Sequence, residues 1–341
     1  MRNLIERFFV SVLLPIFIFL QVGVPAASAQ QTSKPVDLTV VTFPFLSFAP
    51  FFIAQDEGFF EEQGLRVKFV KMSEAAAIPA LVRGDIDVWG GLLGTNFLNA
   101  MSRGANIKIV SEKGYFSSTG CVAAGLITRK ALIESGELDS LSKIKGRRVD
   151  IRQSTYQEYF MDKLLEKAGL TPDDIEVVDV SPPGAIGALK GGQIDLSVAA
   201  EPWLTRVLKA GNNVLWIPMR QVLPDLEHAF IEYGPNLLEK NPEAGKRFMI
   251  AYLKAVRQAN QGKTPRNMEI VIKNTRIDQK LLQDICWRTW RDDGRMNTQA
   301  MLAFQDWAFK RGLLEGKIPV EQFWDPRFVE HANMVLGEPK K

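Results

Sequence analysis

ALVRGDIDV at Ala80–Val88 and ALKGGQIDL at Ala188–Leu196 are two copies of one phrase, 108 positions apart. Ala, Leu, Gly, Ile and Asp recur at matching places, and each copy follows a small-residue, helix-like stretch and leads into a short apolar run. Each run ends in a polar turn: Trp89–Asn96 after the first copy, Ala199–Trp203 after the second. A long-range repeat of one supersecondary unit is a statement about fold. It predicts two similar α/β lobes whose strand ends face a common cleft.

The surrounding pattern supports this reading. In the first half Asp37–Thr42, Leu65–Val70, Ile86–Trp89 and Ile107–Ser111 read as strands, with helices at Ala49–Asp56, Met72–Arg83 and Thr95–Arg103. In the second, strands are expected at Val122–Thr128, Val149–Ile151, Ile175–Val180, Ile194–Ala199 and Val214–Ile217, with helices at Ala131–Leu141, Tyr156–Ala168 and Ala185–Lys190. Gly64-Leu65 and Gly169-Leu170 each end a helix two elements upstream of the phrase, so the order helix, Gly-Leu, strand, helix, phrase, strand occurs twice. Strands alternating with helices imply parallel pairing through crossovers, and short apolar strands fit sheets covered on both faces. After a further strand at Phe230–Tyr233, the remainder reads as helices, including Gln279–Thr289, Thr298–Arg311 and Pro326–Met334. Trp287, Trp290, Phe304, Trp307 and Phe309 lie at helical spacings there and are read as core.

The 341 residues suit two domains, and 46% hydrophobic with 24% charged residues suits a packed core. A net charge of +3 with scattered basic residues gives no nucleic-acid footprint. At the N-terminus, Arg2 and Arg7 precede the apolar run Phe8–Leu20, and Ala27-Ser28-Ala29 is a small-x-small cleavage site, so residues 1–29 read as a secretory signal peptide. A retained anchor is the competing reading, although the run is broken by Pro15 and short for a hydrocarbon layer of about 30 Å. The expected location is the periplasm. Cys121 and Cys286 are read as two separate buried thiols, though export permits a disulfide. His228 and His331 stand outside any metal-ligand spacing, and His228 reads as a surface or packing residue.

Ligands of open α/β sheets bind beyond the carboxyl ends of the strands, and helix N-termini there offer unpaired N–H groups to anions. Three stretches fit: Gly94-Thr95-Asn96, Gln153-Ser154-Thr155, and Ser117-Ser118-Thr119-Gly120 where the chain passes between lobes. Plain capping accounts for each one singly. Arg152 could neutralise an anion, and Glu201 could meet an amine or ring nitrogen or cap its own helix ahead of Pro202. Phe43, Phe45, Phe48, Trp89, Tyr115, Tyr156 and Trp203 could wall an organic ligand. The sequence carries no nucleophile elbow, P-loop or dinucleotide fingerprint, so no enzyme activity and no cofactor are expected.

Read together, PFLSFAPFFIAQDEGFFEEQGLRVKFV, ALVRGDIDVWGG, the stretch from LSKIKGRRVDI to EKAGL, and ALKGGQIDLSVAAEPW make the chain resemble the periplasmic substrate-binding proteins of ABC importers in the nitrate, sulfonate, taurine and thiamine-pyrimidine-precursor group. The resemblance covers Asp37 to about Leu253. It implies a type II-like two-lobed α/β fold, each lobe a mostly parallel sheet flanked by helices, with lobe one at 37–120 plus 218–336 and lobe two at 121–217. It implies ligand contacts at Phe43–Ser47 (Phe43, Phe45 and Ser47), Gly94–Asn96, Ser118, Thr119, Gly120, Ser154–Tyr156, Glu201 and Trp203. It further implies a monomer that takes a small organic anion, sulfonate-like or a related oxyanion, to an ABC permease in the inner membrane. A pyrimidine or other aromatic ligand, and a sensory role, stay open. The enzymes of the thiamine-pyrimidine branch carry a cysteine-rich motif that this sequence lacks.

Overall fold

The computed structural model describes residues 34–339, so the leader assigned to residues 1–29 lies outside the described residues. In chain order the first half runs β1 (Val36–Val41), α1 (Ala49–Asp56), β2 (Leu65–Val70), α2 (Glu74–Arg83), β3 (Val88–Trp89), α3 (Thr95–Ser102) and β4 (Lys108–Glu112). The second runs β5 (Ala124–Arg129), β6 (Arg148–Asp150), α4 (Tyr156–Ala168), β7 (Glu176–Val178), α5 (Pro182–Lys190), β8 (Leu196–Ala200), α6 (Trp203–Lys209) and β9 (Asn213–Pro218). β10 (Phe230–Tyr233), α7 (Pro242–Ala259), α8 (Thr298–Lys310) and α9 (Arg327–Leu336) come after these.

The strands form two five-stranded sheets, β2-β1-β3-β10-β4 and β7-β6-β8-β5-β9. Each contains one antiparallel member, β10 in the first and β5 in the second. Each of these is the first strand after the chain crosses between sheets, and each is inserted at the same place in the strand order. The architecture is therefore two-lobed α/β with mostly parallel strands, as the repeat predicts.

The repeated phrase does the same work in both sheets. Its glycine ends the preceding helix in the left-handed region, Gly84 at φ 78° and Gly192 at φ 72°. The next residue's N–H closes back on a helix carbonyl, Asp85 on Ala80 and Gln193 on Ala188, a Schellman-type stop. The phrase's aspartate then clasps one residue of the neighbouring strand. Asp87 donates its N–H to the Thr39 carbonyl at 2.9 Å, and its carboxylate accepts the Thr39 N–H at 2.7 Å. Asp195 does the same with Arg148, at 2.9 and 3.0 Å. Only a short acceptor side chain at the strand entrance satisfies both groups of one partner residue, which fixes the register of the central strands.

The C-terminal elements differ from the sequence reading. The helix expected over Gln279–Thr289 stops at Asp284, and residues 285–297 run without regular structure. Ile, Cys, Trp and Thr are weak helix formers, and at Cys286 bonds to Glu201 and to Cys121 take over from the helix. Trp287 and Trp290 thus lie in an irregular strap, Phe304 and Trp307 are core, and Phe309 is 45% exposed, not core. The helix expected at Ala131–Leu141 is short, Lys130–Glu134, with a 3-10 turn later at Leu141–Ile144. α8 packs on α4: Trp307 Nε1 donates to Asp162 at 2.8 Å, and Arg311 pairs with Glu158 and Asp162. One apolar cluster runs from Met101 through Phe304 and Trp307 to Tyr159 and Phe160. Cys121 and Cys286 form a disulfide, correcting the expectation of two free thiols.

The two phrase glycines allow a paired test. A Cβ on Gly84 would stand 2.8 Å from Asn236 Oδ1, whereas on Gly192 the nearest atom is Arg129 at 3.9 Å. Asn236 is itself bonded through Nδ2 to the Gly84 carbonyl and to Asp87, so giving way would cost those bonds. Gly192→Ala should cost about 1–2 kcal/mol for left-handed backbone, and Gly84→Ala roughly 1–2 kcal/mol more for the displaced amide bonds. Urea unfolding of both variants checks this; equal costs would show that the Asn236 contact is unimportant.

Candidate functional site

A cleft of about 900 Å³, counting its open mouth, lies at the carboxyl ends of β6 and β8 and under the loop after β1. Phe45 and Ser47 come from that loop, Tyr156 from the start of α4, Ser197 from β8, and Glu201 and Trp203 from the turn after β8. His228 and Arg288 close the far side. Apolar and aromatic residues such as Phe45, Tyr156 and Trp203 share the lining with polar and charged ones such as Asp150, Ser197 and Arg288, so the cleft offers an organic ligand both walls and hydrogen-bonding groups.

Two of the three acids that line the cleft, Asp150 and Glu201, have partners, whereas the carboxylate of the third, Asp179, makes no hydrogen bond or ion pair among the described residues. Asp150 is buried, and accepts from Ser197 Oγ at 2.7 Å and Val180 N–H at 3.0 Å. Burial pushes its pKa up, with the two hydrogen bonds opposing. Glu201 is buried and accepts from Thr205 Oγ1 at 2.7 Å, Thr205 N–H at 3.2 Å and Cys286 N–H at 3.0 Å. It therefore holds the first turn of its own helix, one of the two roles open to it, and also a distant backbone amide. Its pKa is raised by burial against those bonds.

The cation is in a different state. Arg288 is 6% exposed and makes no ion pair within 4 Å among the described residues. Its guanidinium donates to the His228 ring and lies over the Phe116 ring at 5.6 Å. A guanidinium carries donors only, so the His228 nitrogen is the acceptor and the imidazole is neutral. Burial, with Arg288 and Lys113 adding to it, holds the His228 pKa well below its ordinary value. His228 is thus neither superficial nor merely packed; it is the neutral partner of a buried cation. Arg288 Nε is buried with no hydrogen-bond partner. An unmade bond on a buried charged group costs about 1–3 kcal/mol or more, so this N–H is an open demand for an acceptor. Arg291, three residues on, is by contrast paired with Glu227 at 3.1 Å.

Beneath the site lie further buried ionisable groups. Lys113 is fully buried, over the Phe48 ring at 3.8 Å and 3.5 Å from Ser47 Oγ. Burial pulls its pKa down to about 7, against the pull of Glu232. Glu112, pushed up to about 8 by burial, accepts the Gly114 and Arg291 amides, the latter at 2.6 Å.

Of the residues assigned from sequence, the cleft brings together Phe45, Ser47, Tyr156, Glu201 and Trp203. Arg152 also lines it, but is exposed and lies 3.7 Å from Glu74. Phe43 packs instead on Phe48 and Trp89. Gly94, Thr95, Ser154 and Thr155 meet each other: Thr95 N–H donates to the Ser154 carbonyl at 2.9 Å, and Tyr156 N–H to the Leu93 carbonyl at 3.2 Å. Two helix starts expected to offer amides to an anion thus form a small antiparallel bridge joining the two sheets. Thr155 Oγ1 caps α4 through Gln157 N–H. Asn96 is exposed beside this bridge, and Ser118, Thr119 and Gly120 are exposed on the crossing between sheets. Arg288, Asp150 and Ser197 were missed. Arg288 sat inside an expected helix, and the poor helix formers Ile285, Cys286 and Trp287 were the signal against it.

Two mixed sheets of matching topology with ligand-side loops at one cleft are the fold of the periplasmic binding proteins. The periplasmic nitrate-binding protein NrtA of Synechocystis PCC 6803 has this fold, with a TM-score of 0.74, 15% identity and 90% of each chain covered. The chain belongs to the NMT1/THI5-like family, whose model matches residues 46–262. The taurine-binding periplasmic protein of Escherichia coli K12 is 26% identical over 213 residues, 59% of this chain and 60% of that one. The desulfurization enzyme DszB shares the fold at a TM-score of 0.62 and 14% identity, covering 88% of this chain and 99% of that chain.

The bridge between the helix starts can be removed selectively. Proline is tolerated at a first helical position, so Thr95→Pro should leave α3 intact and abolish only the Thr95–Ser154 bond. Hydrogen exchange at the Tyr156 amide, its neighbour in the bridge, should accelerate. Unchanged exchange at Tyr156 would show that the bridge is not a cooperative unit.

Proposed function

We propose that this is an exported solute-binding protein that captures a small organic anion, sulfonate-like or a related oxyanion, and delivers it to an ABC permease in the inner membrane. The observation that carries the reading is Arg288, a buried guanidinium without an ion-pair partner and with an unsatisfied N–H, in a cleft where two of the three lining acids, Asp150 and Glu201, have partners. An oxyanion satisfies it with a charge-assisted hydrogen bond, while Phe45, Tyr156 and Trp203 wall the organic part. The oxyanions in the names of the relatives, nitrate and taurine, agree with this choice. An aromatic heterocycle without negative charge would leave the guanidinium unpaired, so the pyrimidine reading ranks second. Catalysis on the same fold ranks below both, because His228 already accepts from Arg288 and both cysteines are joined.

In this reading residues 37–120 with 218–336 form one lobe and 121–217 the other, and ligand spanning them shifts the population toward the closed form. α8 is the exception within its lobe. Trp307 and the following Arg311 tie it to Asp162 and Glu158 of α4, while Gln305 exchanges hydrogen bonds with Ile318 of its own lobe, so it is fastened to both lobes. A periplasmic destination is supported by the disulfide, which persists in an oxidising compartment.

Titration of the protein's tryptophan fluorescence with benzenesulfonate, taurine, nitrate and a pyrimidine tests the ligand class. Saturable binding is expected for a sulfonate, and Arg288→Gln should weaken it by about 1.5–3 kcal/mol, the worth of a hydrogen bond to a charged group. Equal affinity in Arg288→Gln would remove the guanidinium from the site.

A further inference from the structure

The segment that presents Arg288 is held from both sides of the molecule. At its start, Cys286 is bonded to Cys121, in the crossing between β4 and β5, and its N–H is accepted by Glu201 at the end of β8. At its other end Thr289 bridges Tyr115, Trp290 exchanges hydrogen bonds with Asn260, and Trp290 Nε1 donates to the Lys113 carbonyl at 3.1 Å. Arg291 N–H is accepted by Glu112 at 2.6 Å. Arg288 is therefore suspended between an anchor on the second sheet and a set of anchors on the first. On one side the strap is backed by core, with Ile285 and Trp290 buried in it and Trp287 Nε1 bonded to the Ala259 carbonyl at 2.9 Å, but the other side is open. A second cleft of about 530 Å³, counting its open mouth and lined by Phe116, Cys121, Ala124, Arg220, Trp287 and Arg288, lies there. Van der Waals packing holds a side chain only where atoms fill the space. On this side, covalent and hydrogen-bonded tethers must do it.

We infer that the Cys121–Cys286 disulfide and the Glu201 carboxylate are positioning elements for Arg288, so that anion affinity in the cleft depends on the redox state of that cysteine pair. The inference rests on the proposed anion-binding role of Arg288. A tethered cation is pre-organised for its ligand, whereas an untethered strap must be ordered at each binding event. Cys121 is exposed and Cys286 half-buried, so a small reductant reaches the bond. Glu201 has the same effect by a different means: its carboxylate fixes the Cys286 amide to the turn that bears Trp203.

The test uses the full-length mature protein and benzenesulfonate, with dithiothreitol as an uncharged reductant. Binding is measured by calorimetry before and after reduction, in the wild type and in Arg288→Gln, and in the Cys121→Ser/Cys286→Ser variant as a reductant-independent control. Near-ultraviolet circular dichroism monitors the fold. Reduction should weaken binding by about tenfold in the wild type, the factor of one re-ordered side chain and its backbone, and the double serine variant should match the reduced protein. In Arg288→Gln, oxidised and reduced forms should bind equally, because the group being positioned is gone. Equal affinity of oxidised and reduced wild type would overturn the inference alone. The same fractional loss in Arg288→Gln would also overturn it, because the disulfide would then be tightening the cleft as a whole. Absence of benzenesulfonate binding by the oxidised wild type would instead overturn the proposed function, and the inference with it.

Discussion

A guanidinium taken out of water has to be met by acceptors or left in electrostatic debt, and among the described residues Arg288 is met by only one, the neutral ring of His228. The ordinary protein solution is a carboxylate partner, and the chain uses it three residues away, where Arg291 meets Glu227. At Arg288 a carboxylate would cancel the attraction for an anion from outside. Two acids of the cleft are kept from doing so: Asp150 is turned to Ser197 and Val180, and Glu201 to Thr205 and Cys286. Two of the cleft's three acids are thus internally satisfied, while one buried N–H of the guanidinium is without a partner among the described residues.

The two sheets serve that arrangement symmetrically. Each uses the same glycine stop and the same aspartate clasp to place its central strand, so the ends of β3 and β8 come to matching positions. Beyond those ends the two copies part company. After β3 the chain enters the bridge with Ser154 that joins the sheets. After β8 it enters the turn at Glu201 that holds the strap. In the proposed site the duplicated fold supplies geometry, and the single-copy strap from outside either repeat supplies the charge.

Much of the fold was legible in the sequence for local reasons. α1, α4 and β2 fall at Ala49–Asp56, Tyr156–Ala168 and Leu65–Val70, as the periodicity and the flanking glycines indicate. The phrase with its left-handed glycine carries its meaning within nine residues. The site was less legible, because its decisive contacts are tertiary. That the amides of Thr95 and Tyr156 face carbonyls of the opposite sheet depends on how the sheets meet, which no local pattern encodes. The pairing of Cys121 with Cys286 spans 165 residues. Arg288 was hidden by a helical reading of Trp287 and Trp290, whose spacing is as natural to a helix as to a strap pinned by two indole N–H bonds, to Ala259 and to Lys113.

The central claim is that the open N–H of Arg288 is the anchor for an anionic ligand. A crystal structure of the protein with 4-bromobenzenesulfonate, its bromine located by anomalous scattering, tests this directly. A sulfonate oxygen should lie about 2.7–3.0 Å from Arg288 Nε, with the ring between Phe45 and Trp203. A sulfonate seated at Asn96 or at Ser118–Gly120, with Arg288 still bonded to His228 alone, would contradict the account.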